Sequence, residues 1–438
     1  MQQETRRKRL PFHPEIALLV LLLIAPFRLS ASETQKLIVA TTFPEEFART
    51  VGKAFEQRHP GMVVSFSYRA TSTLVGNLIA DEGRGADLVW MSSPVGIRAL
   101  MQNGLLAGAP EACVFAYSRF GLMWRQDLLD VRTIAAPSRW QDLAQPRYRG
   151  EIGMSSPSRS GTTAIFVEAV LQAEGWRRGW ALLQEMGGNL ATVTARSIGV
   201  QEGLLQGRFS IGIGVDFLAR TTGESDTPLR FLASPADILL PASACVLRSA
   251  ENPGPARVFS MFLRSSEGQA LLAHPRVQRI PLDEGRRTLA AQPPQSRAFD
   301  TALAEQRGGL VAVLFDQLIT YRRGDLGRFW AAYHDTEARA AALEENGRPR
   351  KAEIANRLAQ ARHIAGAVSV PDFMTTDTAF TDIFKETSGP TSELRGIRSR
   401  LQEDWTADSR RRLREAGALV RSASDLIEEQ RPSLASGP

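Results

Sequence analysis

Strands and helices alternate three times between residues 36 and 103, and this alternation constrains the fold more than any other feature of the chain. The strand-like runs are apolar, and the segments between them space their apolar residues as helices do; Phe47, Val51 and Phe55, for example, share one helix face. Such an order predicts a parallel sheet with helices packed on its faces. The alternating elements are Lys36–Thr41, Phe47–Phe55, Met62–Tyr68, Ala70–Asp81, Ala86–Trp90 and Ile97–Asn103.

A second region of the same kind follows two consecutive strand-like stretches. Cys113–Tyr117 and Phe120–Arg125 have no helical pattern between them, so we expect them to cross from one lobe to another. Strand and helix patterns resume over residues 151–215, and Ser243–Leu247 returns to the first region. The predicted fold class is therefore α/β, with two lobes that form a clamp hinged at the crossover strands.

The composition changes after about Pro281, where helical segments rich in Arg, Ala and Glu begin. Leu310, Val313 and Leu314 are spaced as on one helix face; we interpret this stripe as internal core, with a partner-binding face as the alternative. The predicted segments are a signal peptide (1–32), lobe one (33–112), lobe two with the crossover strands (113–245), the return to lobe one (246–281) and a helical C-terminal extension (282–438).

The first residues have the layout of an export signal. The basic run Arg6–Arg9 precedes the apolar run Ile16–Ala25, and Leu29–Ser32 supplies small residues for cleavage. The apolar run is short for a membrane span, so we expect a periplasmic protein with no stable membrane insertion after cleavage. The net charge of +6 over 438 residues is modest, and no nucleic-acid partner is predicted.

Cys113 and Cys245 are the only cysteines, and each lies in a strand-like stretch. In an exported protein they can form one disulfide, and two buried free thiols are the alternative. Two cysteines and five dispersed histidines form no metal-ligand pattern, so neither a metal site nor a cofactor is expected.

The tetrapeptide Met-Ser-Ser-Pro occurs twice, at Met91–Pro94 and Met154–Pro157, each time between a strand pattern and a helix. Serine is a favoured N-cap residue, and the N–H groups of a helix N-terminus attract anions. Two such ends on facing lobes predict an anionic ligand between them. Ordinary strand–helix turns are the alternative for each copy.

Ligand-binding candidates are placed at the predicted strand ends, where open α/β sheets bind ligands. Arginine forks there match carboxylate and phosphate oxygens, and Asp216 is expected to accept a hydrogen bond from a hydroxyl or amine of the ligand. The other candidates are Thr42, Ser72, Thr73 and Ser93 in lobe one and Ser156, Arg159, Ser160, Thr162 and Arg196 in lobe two.

Catalytic patterns are missing from the sequence. There is no Gly-x-Ser-x-Gly, no phosphate-binding loop of the Gly-x-x-x-x-Gly-Lys type and no dinucleotide fingerprint. Ser158 and Ser160 have no nearby histidine that could act as their base. The prediction is a binding protein rather than an enzyme.

Several stretches resemble the type II periplasmic solute-binding proteins of ABC-type transporters, in the branch with ferric-iron and aminoethylphosphonate binders. These stretches are Ser72–Leu78, Gly85–Trp90 and Phe262–Gln269. A closer resemblance is to the phosphoglycerate transport regulatory protein family. It rests on Ser92–Pro94, Met154–Ser160, Gly188–Val193, Ala195–Val200 and Ala291–Pro294, the last before a long helical extension.

The resemblance implies a periplasmic-binding-protein-like (type II) clamp that binds a phosphoglycerate-type ligand and signals to a membrane sensor kinase controlling uptake. The alternative is the substrate-binding subunit of an ABC importer for a phosphonate, a phosphate ester or another organic anion, with a permease as partner. Iron-binding relatives use adjacent tyrosines, whereas this chain has Val215–Ala219 in that region, so iron is disfavoured.

Overall fold

The computed structural model describes residues 34–220, 229–234, 238–275, 277–291, 299–343, 348–385 and 392–429. The predicted signal peptide lies outside the described residues. The strands are β1 (Gln35–Thr41), β2 (Met62–Tyr68), β3 (Leu88–Met91), β4 (Val114–Arg125), β5 (Ile152–Ser155), β6 (Leu190–Thr194), β7 (Ile211–Val215), β8 (Leu229–Ala233), β9 (Leu239–Val246) and β10 (Ile280–Pro281).

The α-helices fall into three groups along the chain. Lobe one contains α1 (Glu45–Arg58), α2 (Thr71–Ala80) and α3 (Pro94–Gln102). The middle of the chain forms α4 (Gln126–Val131), α5 (Gly161–Glu174), α6 (Trp176–Gly188), α7 (Ser197–Leu205), α8 (Asp216–Arg220), α9 (Pro253–Arg264) and α10 (Ser266–Leu271). The extension consists of α11 (Leu282–Ala291), α12 (Thr301–Leu318), α13 (Arg323–Ala341), α14 (Arg348–Gly366), α15 (Thr378–Asp382) and α16 (Ser392–Glu428).

The predicted α/β clamp is confirmed, and each lobe has its own parallel strands. In lobe one, β1 lies between β2 and β3, and all three run parallel. In lobe two, β5 lies between β6 and β7, again parallel. Because the strands of each set are parallel, their carboxyl ends meet at one edge, and the helices that follow begin there.

Strand β4 extends through both lobes. The first half of β4 pairs with β9 in lobe one, and its second half pairs with β7 and β8 in lobe two. The sequence predicted two strands here, but no turn residue separates Ser118 from Phe120, so the strand continues. β9 pairs antiparallel with β3 over Ser243–Val246, which brings the chain back into the lobe-one sheet.

Cys113 and Cys245 are joined by a disulfide, with 5.2 Å between their Cα atoms. Both residues are buried in a lobe-one cluster with Leu106 and Leu247. The bridge links positions 132 residues apart, and closing so long a loop lowers the entropy of the unfolded chain.

The C-terminal extension does not form a separate core. Its stripe residues Leu310, Val313 and Leu314 are buried in the same cluster as Phe166 of α5 and Trp180 of α6. The stripe is therefore internal core, packed on lobe two. No helix in the described part of the chain is both long and apolar enough to cross a membrane.

Candidate functional site

A cleft of about 70 Å³ lies between the two lobes, where four helix N-termini converge. These are the first turns of α2 and α3 from lobe one and of α5 and α7 from lobe two. The first turn of a helix carries backbone N–H groups without an intrahelical acceptor and the positive end of the helix dipole, so these four ends favour negative charge in the cleft. The cleft is lined by Thr42, Pro44, Arg69, Ala70, Thr71, Ser92, Ser93, Arg159, Ser160, Gly161, Thr162, Arg196, Ser197, Ile198, Val215, Phe217 and Leu218.

The lobe-one wall follows from the register of its strands. Thr41 pairs with both Tyr68 and Trp90, so the three strands end side by side, and Thr42 and Arg69 come directly after them. Ser93, from the first Met-Ser-Ser-Pro copy, caps α3 by accepting a hydrogen bond of 3.1 Å from the Gly96 N–H. The first Met-Ser-Ser-Pro copy thus starts a helix at the edge of the cleft.

The lobe-two wall uses a second serine cap. Ser160 Oγ accepts a hydrogen bond from the Thr163 N–H at 3.3 Å and lies 2.7 Å from Ser197 Oγ. Arg159 precedes this cap and is exposed, while Arg196 occupies the cap position of α7. The hydroxyls and the two guanidinium groups thus come from neighbouring strand ends of the same lobe.

The two lobes touch across the cleft. The Arg196 Nη2 donates a hydrogen bond of 3.1 Å to the backbone carbonyl of Thr42. Gly161 lies so close to Ser93 that a Cβ on it would be 2.6 Å from the serine Oγ. The structure is therefore in a closed arrangement, and Gly161 allows the close approach because it has no side chain.

The charge of the cleft has one sign. Arg69, Arg159 and Arg196 line it, and no Asp or Glu is among its lining residues. Within the described chain, no carboxylate lies within salt-bridge distance of these three guanidinium groups, and no cluster of His, Cys, Asp and Glu is arranged to hold a metal. Such an arrangement attracts an anion whose charge can be shared among several donors.

The structure places six of the ten predicted ligand residues on this cleft: Thr42, Ser93, Arg159, Ser160, Thr162 and Arg196. Four others do not line it. Ser72 lines an adjoining cavity, and Thr73 is exposed on the first turn of α2. Ser72 and Thr73 were predicted because they follow a strand end. They lie in the first turn of α2, where successive side chains point in different directions, and in that turn Thr71 lines the cleft.

Ser156, predicted as a ligand residue, does not line the cleft because it forms a hydrogen bond to the extension. Its side chain is fully buried and donates a 2.8 Å hydrogen bond to Asp316 Oδ1, while Ser158 donates one of 2.7 Å to Asp316 Oδ2. The second Met-Ser-Ser-Pro copy therefore attaches α12 of the extension to lobe two, and Ser156 does not line the interlobe cleft.

Asp216, another predicted ligand residue, also does not line the cleft. It is fully buried, and its carboxylate accepts hydrogen bonds from the Phe217 N–H (2.9 Å) and from Arg220 (3.2 Å). Burial raises the pKa of Asp216, and the positive charges of Arg220 and Arg279 act against that rise.

Sequence reasoning missed Arg279, which lies buried at the hinge. Its guanidinium carbon lies 4.4 Å from the ring centroid of Phe43 in lobe one and 3.9 Å from that of Phe217 beside the cleft. Its Nη1 donates a 2.9 Å hydrogen bond to Ser118 on the crossover strand. Burial lowers the pKa of Arg279 to about 9, partly offset by Asp216. These cation–π contacts tie together segments from both lobes.

A second contact between lobe one and the extension involves a carboxylate with a shifted pKa. The Arg98 Nε on α3 lies 2.5 Å from Glu305 Oε1 on α12. Burial raises the pKa of Glu305 to about 7; the Arg98 charge and hydrogen bond oppose the rise, and Asp300 adds to it. The Glu305 side chain is 12% exposed, so desolvation outweighs the ion pair.

This shift predicts a pH-dependent contribution to stability. Since the folded pKa lies above the ordinary value of 4.5, the contribution of Glu305 is fully present below about pH 4.5 and is lost as the pH rises through about 7. Glu305→Gln is therefore expected to gain stability relative to the wild type between pH 5 and pH 8, by roughly 1–3 kcal/mol. Urea unfolding at both pH values measures the difference. Glu111→Gln is the control, since Glu111 is exposed and lines the same surface cavity as Glu305. A stability difference between Glu305→Gln and the wild type that does not change with pH would contradict the prediction.

Comparison with known proteins agrees with the fold. Residues 37–274 match the family described as bacterial extracellular solute-binding protein, which is more than half of the chain. The chain belongs to this family. It is also 32% identical over 332 residues to the phosphoglycerate transport regulatory protein PgtC of Salmonella typhimurium, covering 70% of this chain and 82% of that protein.

Solved structures show the same fold for this solute-binding protein. The periplasmic binding protein AfuA from Actinobacillus pleuropneumoniae, with fructose-6-phosphate bound, superimposes with a TM-score of 0.54 at 18% identity, over 68% of this chain and 97% of that one. Iron-bound HitA from Pseudomonas aeruginosa gives 0.51 at 18% identity, over 64% and 98%. The same fold thus holds different ligands, and the cleft residues decide the ligand.

Proposed function

We propose that this protein is a periplasmic sensor that binds a small phosphorylated metabolite of the phosphoglycerate type and regulates its uptake. The observation that carries the proposal is the charge of the closed cleft: three arginines and four helix N-termini, with no acidic side chain among the lining residues. A phosphate monoester next to a carboxylate carries enough negative charge and enough acceptor oxygens to use all of these donors. The similarity to PgtC supports the same ligand class.

The cleft residues have complementary roles in this proposal. Arg159 and Arg196 hold the phosphate together with the N–H groups at the start of α5, and Arg69 holds the carboxylate from lobe one. Ser93, Ser160, Ser197 and Thr42 supply hydroxyls that donate to the remaining oxygens. The guanidinium forks give directional, charge-assisted hydrogen bonds, and the helix N-termini add N–H donors without a side-chain entropy cost.

Ligand binding is coupled to lobe closure. A ligand that contacts both walls stabilises the closed arrangement, in which Arg196 already reaches the Thr42 carbonyl. It shifts the population toward that state by as much as its contacts differ between open and closed forms. In this proposal the predicted signal peptide (1–32) directs export, and the ligand is bound in the periplasm.

The proposal predicts which substitutions abolish binding. Calorimetry with 2-phosphoglycerate, 3-phosphoglycerate and phosphoenolpyruvate is expected to detect binding of at least one of them. Arg159→Ala and Arg196→Ala should each weaken the affinity by about 10- to 100-fold, because a hydrogen bond to a charged group contributes about 1.5–3 kcal/mol. Arg257→Ala, an exposed arginine on α9, is the matched control and should leave the affinity unchanged. Binding of ferric iron or of an amine, with none of the three anions bound, would refute the ligand assignment.

The second candidate is the substrate-binding subunit of an ABC importer. It is favoured by the family match, which covers only the two-lobed part of the chain. The helical extension (282–438) and the name of the Salmonella relative, a transport regulatory protein, favour a regulatory role, for which we propose a membrane sensor kinase as the partner. A strain that lacks this protein but expresses the uptake system from a constitutive promoter separates the two. Uptake persists if the protein is a regulator and stops if it is the importer's binding subunit.

A further inference from the structure

A groove on the extension has an apolar floor and a basic rim. It lies between α13 and α16, encloses about 490 Å³ and shares no lining residue with the interlobe cleft. Phe329, Leu413 and Val420 form the apolar part, and the arginines at its rim are Arg328, Arg410, Arg414 and Arg421. We refer to these residues as the arginine groove.

Three of the rim arginines lie on one helix face and form no ion pair with any described residue. Arg410, Arg414 and Arg421 are separated by four and seven residues on α16, and all three are exposed. Within the described chain, no carboxylate lies within 4 Å of these three guanidinium groups. Like charges four residues apart destabilise a helix, so the stripe is unfavourable until an anionic partner covers it.

Other arginines of the same helical layer are paired. Arg411 and Arg412 both contact Asp408, and Arg339 on α13 contacts Glu428 on α16. The groove has one lining carboxylate among the described residues, Asp325, and it contacts Arg328 of α13 and Arg322 just before that helix, so the three arginines of α16 are left without an acidic partner there. The same rim surrounds apolar side chains, so a partner that fits must carry apolar residues as well as negative charge.

We propose that the arginine groove binds an acidic amphipathic helix of a partner protein, and that this contact transmits the ligand-bound state. The partner presents apolar residues at a spacing of three and four to Phe329, Leu413 and Val420, and carboxylates to the arginine stripe. The stripe spans about 16 Å, since a helix rises 1.5 Å per residue, which matches three turns of a partner helix. The groove is concave and lies between two helices, so a partner helix can fill it more completely than a flat membrane surface can. The proposal rests on the regulatory function proposed above.

The test compares two variants of equal net charge. Arg410→Glu/Arg414→Glu/Arg421→Glu reverses the groove stripe, and Arg257→Glu/Arg395→Glu/Arg400→Glu reverses three exposed arginines elsewhere. The probe is an 18-residue peptide with Leu at helical spacing and Glu at the spacing of the stripe; a scrambled peptide of the same composition is its control. Fluorescence anisotropy should show binding at least tenfold weaker for the groove variant than for the wild type and the control variant. It should also show at least tenfold weaker binding of the scrambled peptide.

Other outcomes overturn the proposal in distinguishable ways. Equal loss in both variants, or equal binding of both peptides, means non-specific charge attraction. Capture of the wild type by phosphatidylglycerol vesicles, but not by the peptide, identifies a lipid surface instead. In calorimetry, the purified groove variant should bind phosphoglycerate as the wild type does. In cells, the same variant should fail to induce uptake. Normal induction would refute the groove while leaving the proposed function intact, whereas a wild type that binds no phosphorylated anion refutes the proposed function itself.

Discussion

Deletion of residues 297–438 is expected to leave lobe two unable to fold, rather than to release an intact binding domain. The deletion removes the fully buried side chains of Leu310, Leu314, Phe315 and Leu318 from the core that they share with α5 and α6. Each such side chain contributes about 1.5–3 kcal/mol on burial, so the loss is roughly 6–12 kcal/mol. That loss is comparable to the whole free energy of unfolding of a typical domain, about 5–15 kcal/mol.

Expression and circular dichroism measure this outcome. The truncated chain should aggregate or lack a cooperative thermal transition, whereas a chain that ends at Glu429 keeps all the described helices and should unfold like the full protein. A soluble, cooperatively folding chain of residues 33–296 would show that the extension is an independent unit. The consequence for function is practical: the signalling role of the extension has to be tested by surface substitutions and not by truncation.

Arg307→Ala is expected to lower the free energy of unfolding by about 3–5 kcal/mol. Arg307 on α12 forms a bidentate ion pair with Glu168 on α5, with Nη2 2.7 Å from Oε1, and both side chains are at most 5% exposed. Arg307 also lies over the ring of Trp176, 5.0 Å from its centroid. The alanine substitution leaves the Glu168 charge buried without its partner, and this desolvation cost accounts for the large effect.

Denaturant unfolding of three variants isolates the cause. Arg178→Ala removes an ion pair with Glu174 on the surface, where the arginine is 84% exposed, and should cost no more than about 1 kcal/mol. The double variant Arg307→Met/Glu168→Leu removes both charges and should recover most of the stability lost in Arg307→Ala. Equal losses in Arg307→Ala and Arg178→Ala would contradict the buried-charge explanation.

The fold could be predicted because its signals are local. The alternation of strands and helices over residues 36–103 depends on apolar spacing that each segment carries by itself, and it corresponds to β1 through α3. The division into two lobes follows from a second alternation of the same kind. The point where β4 passes from one sheet to the other was not predicted, because both halves of that strand have the same apolar character.

The candidate site was partly predictable for the same reason. Ser93 and Ser160 cap the helices that directly follow them, so their place at a helix N-terminus is visible in a few adjacent residues. Arg279 gave no local signal. It reaches the hinge from a segment more than 60 residues beyond Phe217, and only chain packing brings it against Phe43 and Phe217.

The two Met-Ser-Ser-Pro copies show where the sequence alone ends and the tertiary structure begins. The sequence was sufficient to place each copy at a strand end before a helix, because backbone preferences and capping act over a few residues. It could not assign their different roles. Ser93 faces the interlobe cleft, while Ser156 and Ser158 bond to Asp316. Asp316 is 160 residues away from Ser156, and only packing of α12 against lobe two brings its carboxylate to these hydroxyls.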